Sequence, residues 1–293
     1  RMESVKISLP DVEGTTGYTG GISYQAFVQG IGWQDWKSDG ELAGTQGQSK
    51  RIEAMRMKLT GEVAEYYNVY YSLHLANVGW TGYVSGSDNA ICGSTDLSKR
   101  IEAIKIQLVK KGEVAPSTDG VTYIQGYKHG DFYYSGKIQG SGMTGNIEHS
   151  NTVGTTGQGK RLEGITLYLN QDKSNQYLPQ GSIQYAVHLS NVGWTDWTEQ
   201  GTFCGSSDGS HGMEAVKIQL TGDLAKYYDI YYRTHVQHYG WLGWAKNGES
   251  SGTAGYAKRL EAIQILLVPK GGSAPSNNYL GINANRKQAF ISK

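Results

Sequence analysis

A short motif, Arg-x-Glu, recurs along the chain about every fifty residues and each time opens a stretch of alternating apolar residues. Self-similarity at a regular period is typical of a chain built from repeated structural units, so it constrains the fold more than any other feature. The occurrences are Arg1-Met2-Glu3, Arg51-Ile52-Glu53, Arg100-Ile101-Glu102, Arg161-Leu162-Glu163, Gly212-Met213-Glu214 and Arg259-Leu260-Glu261. One of them has Gly in place of the Arg.

Two further sequence elements precede the Arg-x-Glu motif, at a similar spacing from one copy to the next. Gly-Trp occurs at Gly32-Trp33, Gly79-Trp80, Gly193-Trp194 and Gly240-Trp241. Between it and the motif lies a small residue followed by Gly-Thr or Gly-Ser, at Ala43-Gly44-Thr45, Cys92-Gly93-Ser94, Val153-Gly154-Thr155, Cys204-Gly205-Ser206 and Ser251-Gly252-Thr253. The third copy keeps the spacing but has Met143 and Asn146 at the aromatic positions. The sequence therefore holds five copies and a shortened one before them, and since it opens inside a copy we expect a longer protein.

Similar tails end the second and fifth copies, at residues 109–117 and 268–276, and group the copies in threes. We therefore predict two modules. The first, residues 1–120, holds the shortened copy (1–20), copies one (21–67) and two (68–109) and a tail to residue 120. The second, residues 121–293, holds copies three (121–170), four (181–228) and five (229–268) and the C-terminal tail (269–293).

Alternation of apolar and polar residues predicts three or four short strands in each copy. Tyr71, Leu73 and Leu75, for example, share one face of a strand, opposite His74. We therefore predict an all-β protein of two pseudo-threefold modules, of the β-trefoil or β-prism type. The shortened first copy leaves an edge that another segment must cover.

The two aromatic residues of the Gly-Trp segment are three positions apart. In a regular strand an odd separation sends them to opposite faces, and we assign the first Trp to the core and the second aromatic to the surface. A bulge at Gly82 or Gly243 would reverse this. An exposed aromatic ring beside a polar side chain suits sugar recognition. The predicted ligand-binding residues are Asp35, Trp36, Tyr83, Asp196, Trp197 and Trp244.

The other chemically active side chains fit structural roles. The motif Glu falls on the predicted core face and needs partners there, for which backbone N–H groups, a Tyr hydroxyl or a Trp indole are better candidates than an Arg that copy four lacks. Cys92 and Cys204 occupy a position held by small residues elsewhere, which indicates buried free thiols. His74, His188 and His235 recur where other copies have Phe27 and Lys137, so a shared metal site is not expected. We predict no catalytic residues, no metal and no cofactor.

Net charge, hydropathy and composition exclude other classes of protein. A net charge of +1 gives no basic surface for nucleic acid, and no apolar run is long enough for membrane insertion. The abundant Tyr and Trp provide a core, so the chain is not disordered.

The pattern Tyr-x-x-His-x-x-x-x-Gly-Trp, Gly-Thr and Arg-Leu-Glu-Ala-Ile-x-Ile-x-Leu, seen best between Tyr231 and Lys270, resembles the clostridial hydrophobic repeat with a signature Trp (ChW). Such repeats occur in secreted and surface proteins of Gram-positive, largely anaerobic bacteria. The resemblance implies an extracellular, secreted or cell-wall-associated protein with a binding or adhesion role. Our first hypothesis is a non-catalytic module that binds extracellular glycan, and the alternative is adhesion to a host or partner protein.

Overall fold

A computed structural model describes residues 2–10, 12–128 and 130–293; Arg1 of the first motif lies outside this part of the chain. With 46% strand and 5% helix the protein is all-β, as predicted, and no sheet in the described ranges closes into a barrel. The chain forms two compact units, residues 1–126 and 127–293.

The first unit contains the shortened copy and copies one and two. Its elements, in chain order, are β1 (Ser4–Val5), α1 (Val12–Thr16), β2 (Gly21–Val28), β3 (Gly32–Trp33), β4 (Lys37–Ser38), β5 (Ala43–Gly44), β6 (Ile52–Thr60), α2 (Val63–Tyr66), β7 (Tyr67–Leu75), β8 (Gly79–Trp80), β9 (Val84–Ser85), β10 (Cys92–Thr95), β11 (Ile101–Lys110) and β12 (Tyr123–Gln125). The predicted module boundary at residue 120 places β12 in the second module, whereas β12 pairs in parallel with β10 of the first unit.

The second unit contains copies three to five and the C-terminal tail. Its elements are β13 (Phe132–Ile138), β14 (Gly142–Met143), β15 (Ile147–Glu148), β16 (Val153–Gly154), β17 (Leu162–Leu169), β18 (Ile183–Leu189), β19 (Gly193–Trp194), β20 (Thr198–Glu199), β21 (Cys204–Gly205), β22 (Met213–Leu220), α3 (Gly222–Tyr227), β23 (Tyr228–Val236), β24 (Gly240–Trp241), β25 (Ala245–Lys246), β26 (Ser250–Ala254), β27 (Leu260–Pro269), β28 (Asn278–Tyr279), β29 (Ile282–Asn283) and β30 (Phe290–Ser292).

Every complete copy builds the same small antiparallel sheet. Its long first strand pairs with its long last strand, as β13 does with β17, and two-residue strands line the other edge of the first strand. The pairing slips by one residue at the motif Glu: Lys137 faces Gly164, but Ile138 faces Leu162. Glu163 is thus the extra residue of a β-bulge, and the same slip recurs in the other complete copies.

The short Gly-Thr or Gly-Ser strand of each copy pairs with the last strand of another copy in the same unit. In the second unit β21 of copy four pairs with β17 of copy three, and β26 of copy five pairs with β22 of copy four. β16 of copy three pairs with β27 of copy five, so the exchange runs in a circle. In the first unit β10 pairs with β6 and β5 with β1, whereas β11, in the described part of this unit, pairs with β7 alone.

A buried tyrosine reinforces each junction between copies. Tyr24, Tyr71, Tyr134, Tyr185 and Tyr232 each have no exposed surface. Each hydroxyl donates to a backbone carbonyl of its own copy, as Tyr71 does to Ala90 at 2.6 Å. The Tyr134 hydroxyl also accepts the backbone N–H of Ile265 in copy five at 3.0 Å. Burial raises the pKa of Tyr134 and Tyr185 far above its usual value, so these hydroxyls stay protonated.

Candidate functional site

The two aromatic residues of the Gly-Trp segment lie on the same face of the sheet. In copy one, regular pairing stops after Trp33, and residues 34–36 pass outside the strands before pairing resumes at Lys37. The Arg56 guanidinium lies 4.3 Å from the Trp33 ring centre, and the Lys58 ammonium lies 4.7 Å from that of Trp36. Arg56 and Lys58 are two residues apart on β6, so they point to one face.

The prediction that the first Trp belongs to the core is therefore wrong, because it assumed an uninterrupted strand. Trp80 is 43% exposed and Trp194 is 36% exposed, while Trp33 is half-buried. The exception is Trp241, which is 5% exposed. The face that carries both aromatic positions is the outer face of each copy's sheet, and we call it the aromatic face.

A histidine and the motif Glu complete this face. His74 Nδ1 lies 3.3 Å from a Glu102 carboxylate oxygen, and the corresponding distance is 3.2 Å for both His188–Glu214 and His235–Glu261. Each imidazole also packs edge-on against the first Trp, with ring centres 5.3–5.5 Å apart. In copy three Lys137 takes this position, 3.5 Å from Glu163. Where the histidine is absent in copy one, Phe27 makes the same edge contact with Trp33.

The motif Arg is the second partner of the Glu, contrary to our prediction. Arg51 bonds Glu53 at 2.7 Å, and Arg259 bonds Glu261 at 2.9 Å. The prediction also placed the Glu on the core face, which the bulge prevents because it breaks the period-two alternation at this residue. In copy three the Lys137 and Arg161 side chains both lie within 3.5 Å of the Glu163 carboxylate, so two cations take the place of the expected backbone, Tyr and Trp donors.

Gly212, at the Arg position of copy four, lies against the side chain of the preceding motif Arg. A Cβ at residue 212 would lie 2.6 Å from Cδ of Arg161, whose side chain reaches over from copy three. Arg161 also donates to the Gly209 carbonyl at 2.7 Å, which holds its side chain beside Gly212. The substitution that seemed to weaken the motif thus makes room for its neighbour.

The cysteines behave as predicted. Cys92 and Cys204 are free and buried, and each sulfur lies beside a threonine hydroxyl, at 3.1 Å from Thr81 and 3.3 Å from Thr195. Burial raises the pKa of the Cys92 thiol to about 11, which keeps it protonated at neutral pH. Among the residues that the structure describes, no group of three His, Cys, Asp or Glu side chains is placed to hold a metal ion.

The predicted ligand-binding residues lie on separate sheets and have different surroundings. Asp35 and Asp196 are exposed, and Trp197 is 44% exposed. Trp36 is half-buried beneath Lys58, whose ammonium also pairs with Asp88. The Tyr83 hydroxyl accepts a hydrogen bond from the Gln107 amide at 3.5 Å.

Trp244 is already engaged by the C-terminal tail. Its indole N–H donates to the Ser276 carbonyl at 3.0 Å, and its ring meets Tyr279 edge-on at 5.5 Å. Arg233 lies between Trp241 and Trp244, at 5.0 and 4.8 Å from their ring centres. Its guanidinium donates to the carbonyls of tail residues Asn277, Tyr279 and Ile282. The tail therefore closes the aromatic face of copy five, and we assign Trp244 to holding it.

Arg233 was not predicted from the sequence, although the sequence holds a signal for it. The equivalent positions in the other copies hold small or uncharged residues: Gln25, Ser72, Ser135 and Ala186. A lone Arg at a position that faces two Trp residues indicates a cation held between the rings.

Copy four carries the most open aromatic face. Trp194 and Trp197 are both exposed, and the Lys217 ammonium lies 4.3 Å from the Trp194 ring centre. Beside them, Gln184 donates to Glu199 at 2.6 Å and accepts from Gln219 at 2.8 Å. This surface offers two aromatic rings, a cation and a chain of polar groups. We call Trp194, Trp197 and Lys217 the copy-four platform.

Comparison with known families agrees with the internal repeats. The family described as Clostridial hydrophobic W (ChW) matches residues 27–61, 74–110, 188–222 and 235–269, which fall in copies one, two, four and five. Copy three lacks the Trp residues and is not matched, yet its sheet has the same strands. No curated protein and no solved structure matches the chain significantly. None of the described helices is long and apolar enough to cross a membrane. The chain thus carries four repeats of the ChW family, which is typical of extracellular, surface-located proteins.

Proposed function

We propose that this protein is a non-catalytic, extracellular binding module that recognises glycan through the aromatic faces of its open copies. The observation that carries the proposal is the exposure of Trp194 and Trp197 on one face of one sheet. Sugar rings stack on such aromatic surfaces, and their hydroxyls bond neighbouring carboxylate and amide groups. Asp196, Glu199 and Gln184 supply these groups beside the copy-four platform.

The repeats support a multivalent mode of binding. Copies one and two present the same positions, with Trp33 and Trp36 in the first and Trp80 and Tyr83 in the second. Several weak sites on one chain raise the overall affinity for a repetitive polymer. We propose further that the complete copies form pseudo-threefold modules of the β-prism type, which the circular exchange of short strands supports. The typical extracellular location of ChW repeats supports secretion or attachment to the cell wall.

The test is a printed array of bacterial and mucosal glycans, followed by calorimetric titration of the full chain with any oligosaccharide that binds. Substituting Trp194 and Trp197 together by Ala should weaken binding roughly fivefold or more, because each stacked ring contributes about 0.5–1.5 kcal/mol. Tyr177→Ala is the matched control, since Tyr177 is equally exposed at 43% but lies outside the aromatic faces. An array without hits, or equal binding by the double variant, contradicts the proposal.

Adhesion to a protein is the second candidate, and one observation favours it. Val192 is 61% exposed and Ile31 is 47% exposed, and each lies two residues before the first Trp of its copy. An aliphatic residue beside exposed aromatic rings suits a protein interface as well as a sugar. Capture of a host surface protein that survives its enzymatic deglycosylation, and is lost in Val192→Asp, would favour this candidate over glycan.

A further inference from the structure

The last strands of copies two and five are equivalent in sequence but not in their surroundings. β27 of copy five is paired on both edges, with β23 on one side and with β16 on the other, where Val153 faces Ile263 and Gly154 faces Ala262. The Thr155 N–H then donates to the Glu261 carbonyl at 2.8 Å. β11 of copy two, within the described residues of its unit, pairs with β7 alone.

The unpaired edge of β11 coincides with a local loss of burial. The Glu102 side chain is 34% exposed, whereas its equivalents Glu53, Glu163, Glu214 and Glu261 are 5–8% exposed. Ile106 is 38% exposed, whereas its equivalent Ile265 is fully buried. An apolar strand with an open edge is a template for pairing with another strand.

A second open position lies next to β11. β1 holds the place that a copy's last strand occupies, because it pairs with the short strand β5 as β27 pairs with β16. In complete copies the other edge of that strand pairs with the copy's own first strand, but β1 pairs with β5 alone in the described chain. The Met2 N–H donates to the Ile101 carbonyl at 3.3 Å, so β1 and β11 border one gap.

The equivalent space in the second unit shows what fits this gap. There, copy three provides the first strand β13, which pairs with β17, and the short strand β16, which pairs with β27. Tyr134 of β13 also accepts the backbone N–H of Ile265, the equivalent of Ile106. An occupant of the gap therefore needs a first strand with an inward Tyr and a short strand that reaches β11.

Glycine in the short strand makes the fit selective. A Cβ on Gly154 would lie 2.3 Å from the Glu261 carbonyl oxygen and 2.7 Å from Cα of Ala262, and its φ is +107°. Gly93 and Gly205 show the same conflict with the bulged strands opposite them. Only a strand with Gly at this point can approach the bulge at Glu102, so an arbitrary β-strand is excluded.

We propose that the gap between β1 and β11 is an acceptor site for the first strands of one more copy of this repeat. The occupant supplies a Tyr-bearing first strand along β1 and a small residue–Gly–Thr or Ser strand along β11. In this register its Gly lies opposite Ala103 and the preceding small residue opposite Ile104. The interaction is strand addition, with specificity set by the bulge at Glu102.

The test supplies the occupant from the chain itself. Residues 131–160 of copy three are fused in front of Arg1 of the full chain, which keeps the natural spacing between Lys160 and the following Arg. Amide hydrogen exchange of residues 103–108 should slow at least about tenfold relative to the unfused chain, because a paired edge no longer opens freely. Residues 260–269 of β27 serve as an internal reference that should not change.

The matched control is the same fusion with Gly154→Val in the added segment, which should leave the exchange of residues 103–108 as fast as in the unfused chain. Adding residues 131–160 as a separate peptide should also slow this exchange, so the result does not depend on how the fusion folds. Equal slowing by the valine variant, or no slowing by either fusion or peptide, would overturn the proposal.

Discussion

Copies four and five have the same sheet, the same pair of Trp residues and the same His–Glu pair, yet only copy four has an open aromatic face. In copy five a single Arg between the two rings binds three carbonyls of the C-terminal tail, and the tail covers the face. In copy four the equivalent of Arg233 is Ala186, and both Trp residues are exposed. The same sheet thus carries either an open aromatic face or a docking site for the tail, and the closed face is the one that has Arg233 between its rings.

The largest effect is expected from Arg233→Ala. Arg233 is fully buried, and its removal would leave Gln264 and three tail carbonyls without their donor. Loss of hydrogen bonds from a buried charged group should lower the free energy of unfolding by about 3 kcal/mol, measured by urea titration. The control is Arg56→Ala, whose cation lies over the more exposed Trp33 and should change stability by less than about 1 kcal/mol. Equal effects of the two substitutions would show that the tail is not held by Arg233.

The second largest effect distinguishes Trp244 of copy five from Trp197, its equivalent in copy four. Trp244→Ala removes a ring packed on Tyr279 and a bond to Ser276, and should lower the free energy of unfolding by about 2 kcal/mol. Trp197→Ala should change it by less than about 0.5 kcal/mol, because its ring is 44% exposed. Binding should show the reverse order, with loss in Trp197→Ala. A stability loss in Trp197→Ala as large as in Trp244→Ala would remove the distinction between open and closed faces.

A third prediction concerns the buried tyrosine that copies four and five have in common. Tyr185 and Tyr232 are both fully buried, and each hydroxyl bonds a carbonyl of its own copy. Tyr185→Phe and Tyr232→Phe should each lower the free energy of unfolding by about 1–2 kcal/mol, since each removes the hydrogen bond of a buried hydroxyl. The two values should agree, because the copies differ on their outer faces and not at this junction. A twofold difference between them in thermal or urea unfolding would contradict this.

The repeats allowed much of the fold to be predicted from the sequence. Alternation around Tyr71, Leu73 and Leu75 identified the buried face correctly, since each of the three has no exposed surface. The shared position of Cys92 and Cys204 identified a small buried site. These predictions depend only on which side of a regular strand a residue occupies, and that property is local.

The candidate site was harder to predict because it is built where strands are irregular. The bulge at each motif Glu and the break after the first Trp both shift the alternation by one position, and cross-strand pairing decides where they occur. Period-two alternation therefore predicted the wrong face for the first Trp and for the Glu. The tail that covers Trp241 belongs to no repeat, so comparison between copies gave no indication of where it lies.

The smallest predicted effect is on the pH dependence of stability, and it follows from the closed aromatic face of copy five. Burial lowers the pKa of His235 below its ordinary value of 6.5, despite the opposing attraction of Glu261, so the imidazole favours the neutral form in the folded protein. The unfolded chain then binds the proton more readily, and the stability due to neutral His235 is present above pH 6.5 and decreases as the pH falls toward the folded pKa. His235→Phe introduces the residue that copy one has at Phe27 and should lose less stability between pH 7 and pH 5 than the native chain, measured by urea unfolding at each pH. Ala186→Ser, at a nearly buried site on the open copy, is the control and should retain the native pH dependence. If the free energy of unfolding changed equally with pH in the native chain and in His235→Phe, burial of His235 would not disfavour the charged imidazole.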